Sequence, residues 1–414
     1  MAYDETTYRR PAGDQPSDPA AYRANTLAAA EQRRRAEQLD DPGDTTTTDV
    51  MRRVEADEDG RDRLGIHLGW EVVLLVAAAA IGYMLWRADS AALQRPGLDN
   101  LLVSGAAIGL LTLGAGLTLR AGVPNLALGP IALAAALQYA EQGDQGLVKA
   151  VVPALVIAAA GALVIGVLIL VLHVPGWAAT LAAGLGVIVY DQLRVAPVAV
   201  QGDYDPTNQA FFLFGGFALL AVIGGALGTV GPVRRWLGRL RPAGDPATRR
   251  GLAVAAPVIG TLLLSSVFAV AAGVLFAAQS AGPLVPGTGL EWTGIALGLA
   301  MLAGTSAYGR RGGIFGSLFA VVALTLFLDY QAREKFDIAL FAIAAAVFGG
   351  GLIVTRLVET YGKPLPVTGE PDWNAAPATT GANWSPDLPE TWSTTSTSTG
   401  RTDRWDAGPW GTTR

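Results

Sequence analysis

The sequence predicts an all-α membrane protein: a polytopic helix bundle of about ten transmembrane segments with disordered polar tails. The chain of 414 residues is 51% hydrophobic and only 16% charged, whereas soluble domains carry about 25% charged residues. From about residue 68 to residue 357, apolar runs alternate with short polar breaks, and many runs approach the ~20 residues that a membrane helix needs. These two patterns place the middle of the chain in a bilayer.

Three regions follow from the composition. Residues 1–66 form a polar N-terminal tail, predicted to be cytoplasmic and largely disordered. It has no apolar run of the kind found in a secretory signal, and one short helix is predicted at 28–39. Residues 67–360 form the membrane domain, and 361–414 form a low-complexity cytoplasmic tail. The tryptophans of that last tail allow two interpretations: a solvated segment, or a peptide that docks on a partner or on the membrane interface.

Ten apolar segments divide the membrane domain, and the fifth and eighth are short enough to be partial or re-entrant helices. They lie near 68–86, 98–119, 125–141, 150–172, 176–193, 211–230, 252–278, 290–304, 313–330 and 337–357. The break at 233–251 carries six arginines against Asp245, and with ten spans it shares a side with Arg310 and Arg311. Because positively charged loops remain inside, we predict that both termini are cytoplasmic. Glycines at helical spacing, such as Gly105 and Gly109, predict close helix packing.

Several function classes are disfavoured by what the sequence lacks. Cysteine is absent, and the two histidines, His67 and His173, are far apart, so we predict no metal site and no cofactor. No G-x-x-x-x-G-K-[ST] motif occurs, so any ATP would be hydrolysed by a separate subunit, and we predict that this chain is not an enzyme. Acidic residues near the span ends stand singly and are interpreted as interfacial; these are Glu71, Glu291, Asp329 and Asp337. Acidic residues also cancel most of the charge of the N-terminal tail, so we predict no nucleic-acid partner.

Two polar interruptions carry the first candidate site residues. In RAGVPNLALG, residues 120–129, a proline and two glycines break the helix, and Asn125 offers both a donor and an acceptor. The alternative is an ordinary helix-breaking turn. In HVPGWAATL, residues 173–181, the proline fixes the start of a new helix. Asp191, near the end of that helix, either faces a cavity or lies at the interface.

A third motif joins the eighth and ninth segments. Residues 304–313, GTSAYGRRGG, form a polar turn between two apolar runs, which predicts a helical hairpin with a basic tip. The glycines permit a tight turn, and Thr305 and Ser306 can cap it or bond to neighbouring helices. Arg310 and Arg311 would anchor the tip at cytoplasmic head groups or face a partner.

These motifs resemble the permease subunits of ribose- and xylose-type bacterial ABC importers, a superfamily that also imports nucleosides and branched-chain amino acids. The hairpin resembles the family's G-G-T-S-x-x-G-G-R-G-x-x-x-G signature, and Gly122, Asn125 and Gly129 match its G-x-x-N/D-x-x-x-G pattern. Val174 to Leu181 resembles its V-P-x-F-I-x-T-L segment, with Trp177 near the aromatic position. The R-A-G-V-x-N motif is closer to that of the nucleoside-importing branch than to that of the ribose branch.

The resemblance implies a role for two sets of residues. Asn125, Trp177 and Thr180 would lie along the translocation pathway. The loops that face or couple to an ATPase would include Arg239, Gly244, Ala247, Gly251, Thr305, Ser306, Arg310 and Arg311. In the family, the loop corresponding to 233–251 carries a short helix that docks on the ATPase, and this chain keeps only part of its pattern.

The resemblance also implies the function and the partners. The chain would be the permease of an importer in the bacterial inner membrane, with a monosaccharide as the first expected substrate and a nucleoside or branched-chain amino acid as alternatives. ABC ATPase subunits, an extracytoplasmic solute-binding protein and a second permease copy or sister permease would be its partners within the lipid bilayer. Two other classes stay open: a degenerate permease that acts as a membrane scaffold, and a secondary transporter with inverted repeats.

Overall fold

A computed structural model describes residues 64–230, 252–307 and 313–361. Within these ranges the chain folds into ten α-helices joined by turns and short 3-10 helices, with one isolated antiparallel bridge between Val198 and Leu284. The helices are Leu64–Ala88 (α1), Gly97–Arg120 (α2), Leu128–Gln142 (α3), Leu147–Leu170 (α4), Gly176–Gln192 (α5), Ala210–Thr229 (α6), Leu252–Ala278 (α7), Leu290–Leu302 (α8), Gly316–Arg333 (α9) and Leu340–Tyr361 (α10). The predicted helix at 28–39 lies outside the described residues.

The helices follow the ten predicted segments in order, and the all-helical class is confirmed for the described ranges. Six of them, α1, α2, α4, α6, α7 and α10, are long and apolar enough to cross a membrane. The eighth helix is short, with 13 residues, and the third, with 15, is also too short to span a bilayer alone. A multi-pass membrane protein is therefore supported, whereas the count of ten spans stays a prediction.

Two long helices, α2 and α7, form the centre of the bundle. In α2, 67% of the most apolar stretch is buried, and in α7 56%, against 22% in α1, α4 and α6. The two helices run antiparallel: Gly114 of α2 lies against Ser265 of α7, and the Gln279 side chain just beyond α7 reaches Asn100 and Ser104 near the start of α2. The apolar residues of α2 are spread around its circumference, which suits a helix that is buried on most sides.

The remaining helices surround this pair in a repeated pattern. Helices α3 and α4 pack on α7, while α8 and α9 pack on α2. Within each group, α3 contacts α4 and α5, and α8 contacts α9 and α10. Helices α2 to α5 and α7 to α10 are thus arranged in corresponding ways around an antiparallel central pair. Helix α1 departs from the pattern because it packs along α9.

Small residues allow these close contacts. At Gly109 of α2, an added Cβ would lie 2.5 Å from the ring of Phe217 on α6, and at Gly105 it would lie 3.0 Å from the ring of Phe214. At Gly273 of α7, it would lie 2.0 Å from the carbonyl oxygen of Ala132 on α3. Because apolar side chains gain little from leaving lipid, such backbone approach supplies much of the attraction between membrane helices.

Candidate functional site

The chain between α2 and α3, residues 121–127, is non-helical, and from Val123 onward it is buried or half-buried inside the bundle. Gly122 has a φ of +73° and ends α2 in a Schellman motif: its N–H donates to the Leu119 carbonyl, and the Val123 N–H donates to the Thr118 carbonyl. Val123 and Ala127 are 1% and 0% exposed. Backbone without helical hydrogen bonds is tolerated in a bilayer only where protein or water supplies partners.

Asn125 supplies several of those partners. Its Nδ2 donates to the Ser265 hydroxyl at 2.9 Å, its Oδ1 accepts from the Ala127 N–H at 3.1 Å, and its own N–H donates to the Thr118 hydroxyl at 3.2 Å. Ser265 is the central residue of α7, about 20 Å from either end at 1.5 Å per residue. The Asn125 network therefore lies near mid-length of a helix that can cross the membrane.

Thr180 joins the same segment, whereas the Trp177 side chain points elsewhere. The buried hydroxyl of Thr180, on α5, donates to the Pro124 carbonyl at 2.7 Å. The side chain of Trp177 is 56% exposed, and its carbonyl oxygen accepts a second bond from Thr180 at 3.2 Å. The structure thus brings Thr180 to Pro124, next to Asn125, and leaves Trp177 at the surface of the bundle.

The first turns of α3 and α8 meet beside this segment. The Thr293 hydroxyl of α8 accepts from the Gly129 N–H at 2.9 Å and donates to the Leu126 carbonyl at 3.2 Å. The contact is so close that a Cβ at Gly129 would lie 1.9 Å from the Gly289 oxygen. One hydroxyl therefore satisfies a free amide of one short helix and a carbonyl of the broken segment. Thr293 and Ser265 were missed by the sequence analysis because neither stands in a motif.

The hairpin between α8 and α9 begins with a second Schellman motif. Gly304 has a φ of +94°, its N–H donates to the Met301 carbonyl, and the Thr305 N–H donates to the Ala300 carbonyl. Thr305 and Ser306 are 2% and 1% exposed, so both are buried at the base of the hairpin. The other predicted coupling residues lie outside the described residues; these are Arg239, Gly244, Ala247, Gly251, Arg310 and Arg311.

Two adjacent residues of α1 hold the base of this hairpin. The Trp70 indole N–H donates to the Leu302 carbonyl at the end of α8, at 2.7 Å. The Glu71 carboxylate accepts from the Phe315 and Gly316 N–H groups at the start of α9, at 2.9 and 3.2 Å. A donor thus meets a helix C-terminus and an anion meets a helix N-terminus, which is the favourable arrangement at both ends.

At the helix ends opposite to the α8–α9 hairpin, the polar contacts are salt bridges. Arg194, just beyond α5, donates to the Glu141 carboxylate of α3 at 2.5 and 2.8 Å, and this hydrogen bonding raises the pKa of the Arg194 guanidinium. Arg333 of α9 bridges Asp89 and Asp329. Each salt bridge joins helix ends that the predicted topology places on the same side of the membrane. Which side faces the cytoplasm stays a prediction.

Asp191 is the last candidate residue from the sequence. The Asp191 side chain is buried, and within the described ranges neither of its oxygens has a hydrogen-bond partner. No cluster of three potential metal ligands occurs among the described residues.

Comparisons of the chain with protein-family models, with curated proteins and with solved structures give no match. The permease resemblance therefore rests on the motifs themselves.

Proposed function

We propose that this chain is the membrane-spanning permease subunit of an ABC importer for a small polar solute. The observation that carries the proposal is the non-helical segment 121–127, which is buried or half-buried from Val123 onward. It is held near mid-length of α7, where the first turns of α3 and α8 meet. Discontinuous helices near the bilayer midplane are typical of solute sites in membrane transporters. The motif resemblance supports the importer class among such transporters.

The side chains around the broken segment favour an uncharged solute. Thr118, Asn125, Thr180, Ser265 and Thr293 are all buried, polar and neutral. A neutral hydroxyl-rich molecule could exchange hydrogen bonds with such groups without introducing an unpaired charge. A monosaccharide is the substrate that we propose first, and a nucleoside or a branched-chain amino acid of the same superfamily is the alternative.

The hairpin at 302–316 would carry the coupling. We propose that its tip faces an ATPase in the cytoplasm and that Trp70 and Glu71 transfer its movement to α1. Closure of the ATPase would then tilt α1, α8 and α9 together, and a solute-binding protein would deliver substrate at the other face. A second permease copy or sister permease would complete the pathway.

Reconstitution tests the proposal. We expect the tagged protein to co-purify with an ATPase and its proteoliposomes to show ATP-stimulated uptake when the binding protein is present. The double variant Arg310→Ala with Arg311→Ala should lower uptake about tenfold or more while leaving expression unchanged. Arg95→Ala, at an exposed position on the predicted opposite side, is the matched control and should retain uptake.

Other outcomes would contradict the proposal in separate ways. Unchanged ATP-driven uptake in the double variant would remove the coupling role of the tip while leaving the importer class intact. No ATPase and no uptake would favour the membrane scaffold. Uptake driven by an ion gradient without ATP would favour a secondary transporter, an alternative supported by the corresponding arrangement of α2 to α5 and α7 to α10.

A further inference from the structure

A groove runs along the bundle between α4 and α5, with α3 beneath it. Its volume is about 590 Å³, and its walls consist almost wholly of small and aliphatic residues. Representative lining residues are Ala154, Gly161 and Leu168 of α4, Ala183 and Gly186 of α5, and Ala135 of α3. None of the hydrogen-bonding side chains of the candidate site lines it.

The groove is long and narrow. Its α4 wall extends from Ala154 to Leu168, about 21 Å at 1.5 Å per residue, so the mean cross-section of the 590 Å³ groove is about 28 Å². A single hydrocarbon chain, whose carbon contacts lie about 4 Å apart, needs only about 15–20 Å².

The groove opens towards the lipid-facing surface. Ile157 and Val164 belong to its α4 wall, and they are 70% and 60% exposed. Helix α4 is one of the six helices that can cross a membrane, so such exposed aliphatic side chains face hydrocarbon. The opening is therefore accessible from the bilayer core.

Polar groups occur at one end of the groove. Gln138 and Tyr190 are its polar lining residues, and the Tyr190 hydroxyl accepts from Arg194 at 3.3 Å. Because α4 and α5 are antiparallel neighbours joined by a short turn, the exposed Lys149 in the first turn of α4 lies at this same end. The other end, near Leu168 and Ala179, is apolar.

We propose that this groove binds one acyl chain of an anionic phospholipid, with the head group beside Lys149. The apolar walls match the chain, and the exposed Lys149 ammonium matches the phosphate. The Arg194 guanidinium at the same end is already paired with Glu141. Gly161 and Gly186 keep the groove open: at both positions an added Cβ would meet no atom within 4 Å, and neither has a positive φ. The inference requires only a bilayer and does not depend on the importer proposal.

Photolabelling tests the site directly. The full chain would be reconstituted in vesicles of phosphatidylcholine with phosphatidylglycerol that carries a diazirine on one acyl chain, and labelled peptides would be mapped by mass spectrometry. We expect labels on α4 and α5 facing the groove. The double variant Gly161→Leu with Gly186→Leu should reduce that labelling at least fivefold. Gly215→Leu on α6, an exposed glycine with equal free space outside the groove, should not change it.

A second variant tests the head group and does not fill the groove. Lys149→Glu should lower labelling by the phosphatidylglycerol probe at least threefold relative to a phosphatidylcholine probe with the same acyl chain. Equal labelling of wild type and the Gly161→Leu, Gly186→Leu variant, or labels confined to other helices, would overturn the proposal.

Discussion

At the scale of single residues, the two glycines that end α2 and α8 are constrained by their backbone conformation. Gly122 and Gly304 both adopt positive φ, and each closes a Schellman motif. They are the first glycines of the two motifs that suggested the permease resemblance. The spacing in those motifs therefore has a local physical cause: a helix must stop before the chain enters the bundle or turns back.

Gly304→Ala tests this constraint. At Gly304 an added Cβ would approach the Gly313 nitrogen at 3.5 Å, an ordinary contact, so the cost comes from the backbone conformation. We expect a loss of about 1–2 kcal/mol in the free energy of unfolding, measured in detergent. Gly215→Ala, inside α6 with free space around it, should be neutral or stabilising by up to about 1 kcal/mol. An equal effect of both substitutions would contradict the assignment.

At Asn125 the constraint comes from the hydrogen bonds of the side-chain amide. Replacing it with Ala leaves the Ala127 N–H without its acceptor and the Ser265 hydroxyl without a donor, both in a buried site. We expect destabilisation of about 2–4 kcal/mol, because each unsatisfied buried group costs roughly 1–3 kcal/mol. Ser265→Ala is the control and should cost less, since it removes one partner of the amide and leaves the Ala127 bond intact. If both variants unfold alike, the amide network is less important than the geometry indicates.

At the scale of helices, the contact between α1 and the α8–α9 hairpin is the feature that the sequence did not predict. Glu71 was interpreted as an interfacial residue. The residue is 3% exposed, and its carboxylate caps α9, which begins more than 240 positions further along the chain. The local sequence explains why the first amides of α9 need an acceptor, but it does not indicate that Glu71 supplies it. Phe315, at the N-cap of α9, has no side-chain acceptor, so the first amides must find one elsewhere.

Glu71→Ala and Glu71→Gln separate capping from charge. The Gln side chain retains an oxygen that can accept from Phe315 and Gly316, whereas Ala retains none. We therefore expect Glu71→Ala to lose about 1–3 kcal/mol of stability and Glu71→Gln to lose clearly less, measured by thermal unfolding in the same detergent. If the two variants lose the same amount, the negative charge at the helix end matters more than the hydrogen bonds.

At the scale of the whole molecule, local sequence patterns predicted the helices, whereas contacts between distant residues form the candidate site. Apolar runs predicted the ten helices of the described ranges, and the prolines and glycines predicted the break at 121–127 and the end of α8 at Gly304. The partners of those breaks come from distant residues: Ser265 is 140 positions from Asn125, and Thr293 is 164 positions from Gly129. Serine and threonine are common in membrane helices, so nothing in their own surroundings marks these two as partners.

The meeting of α3 and α8 has an electrical consequence. The N-terminus of each helix carries about half a positive charge, and the two first turns lie in contact. Away from water such partial charges are weakly screened, so the two backbone termini contribute a positive potential where the helices meet. The Glu291 carboxylate, in the first turn of α8, opposes that potential with a negative charge. The backbone groups alone would favour the partially negative oxygens of a neutral solute over a metal ion.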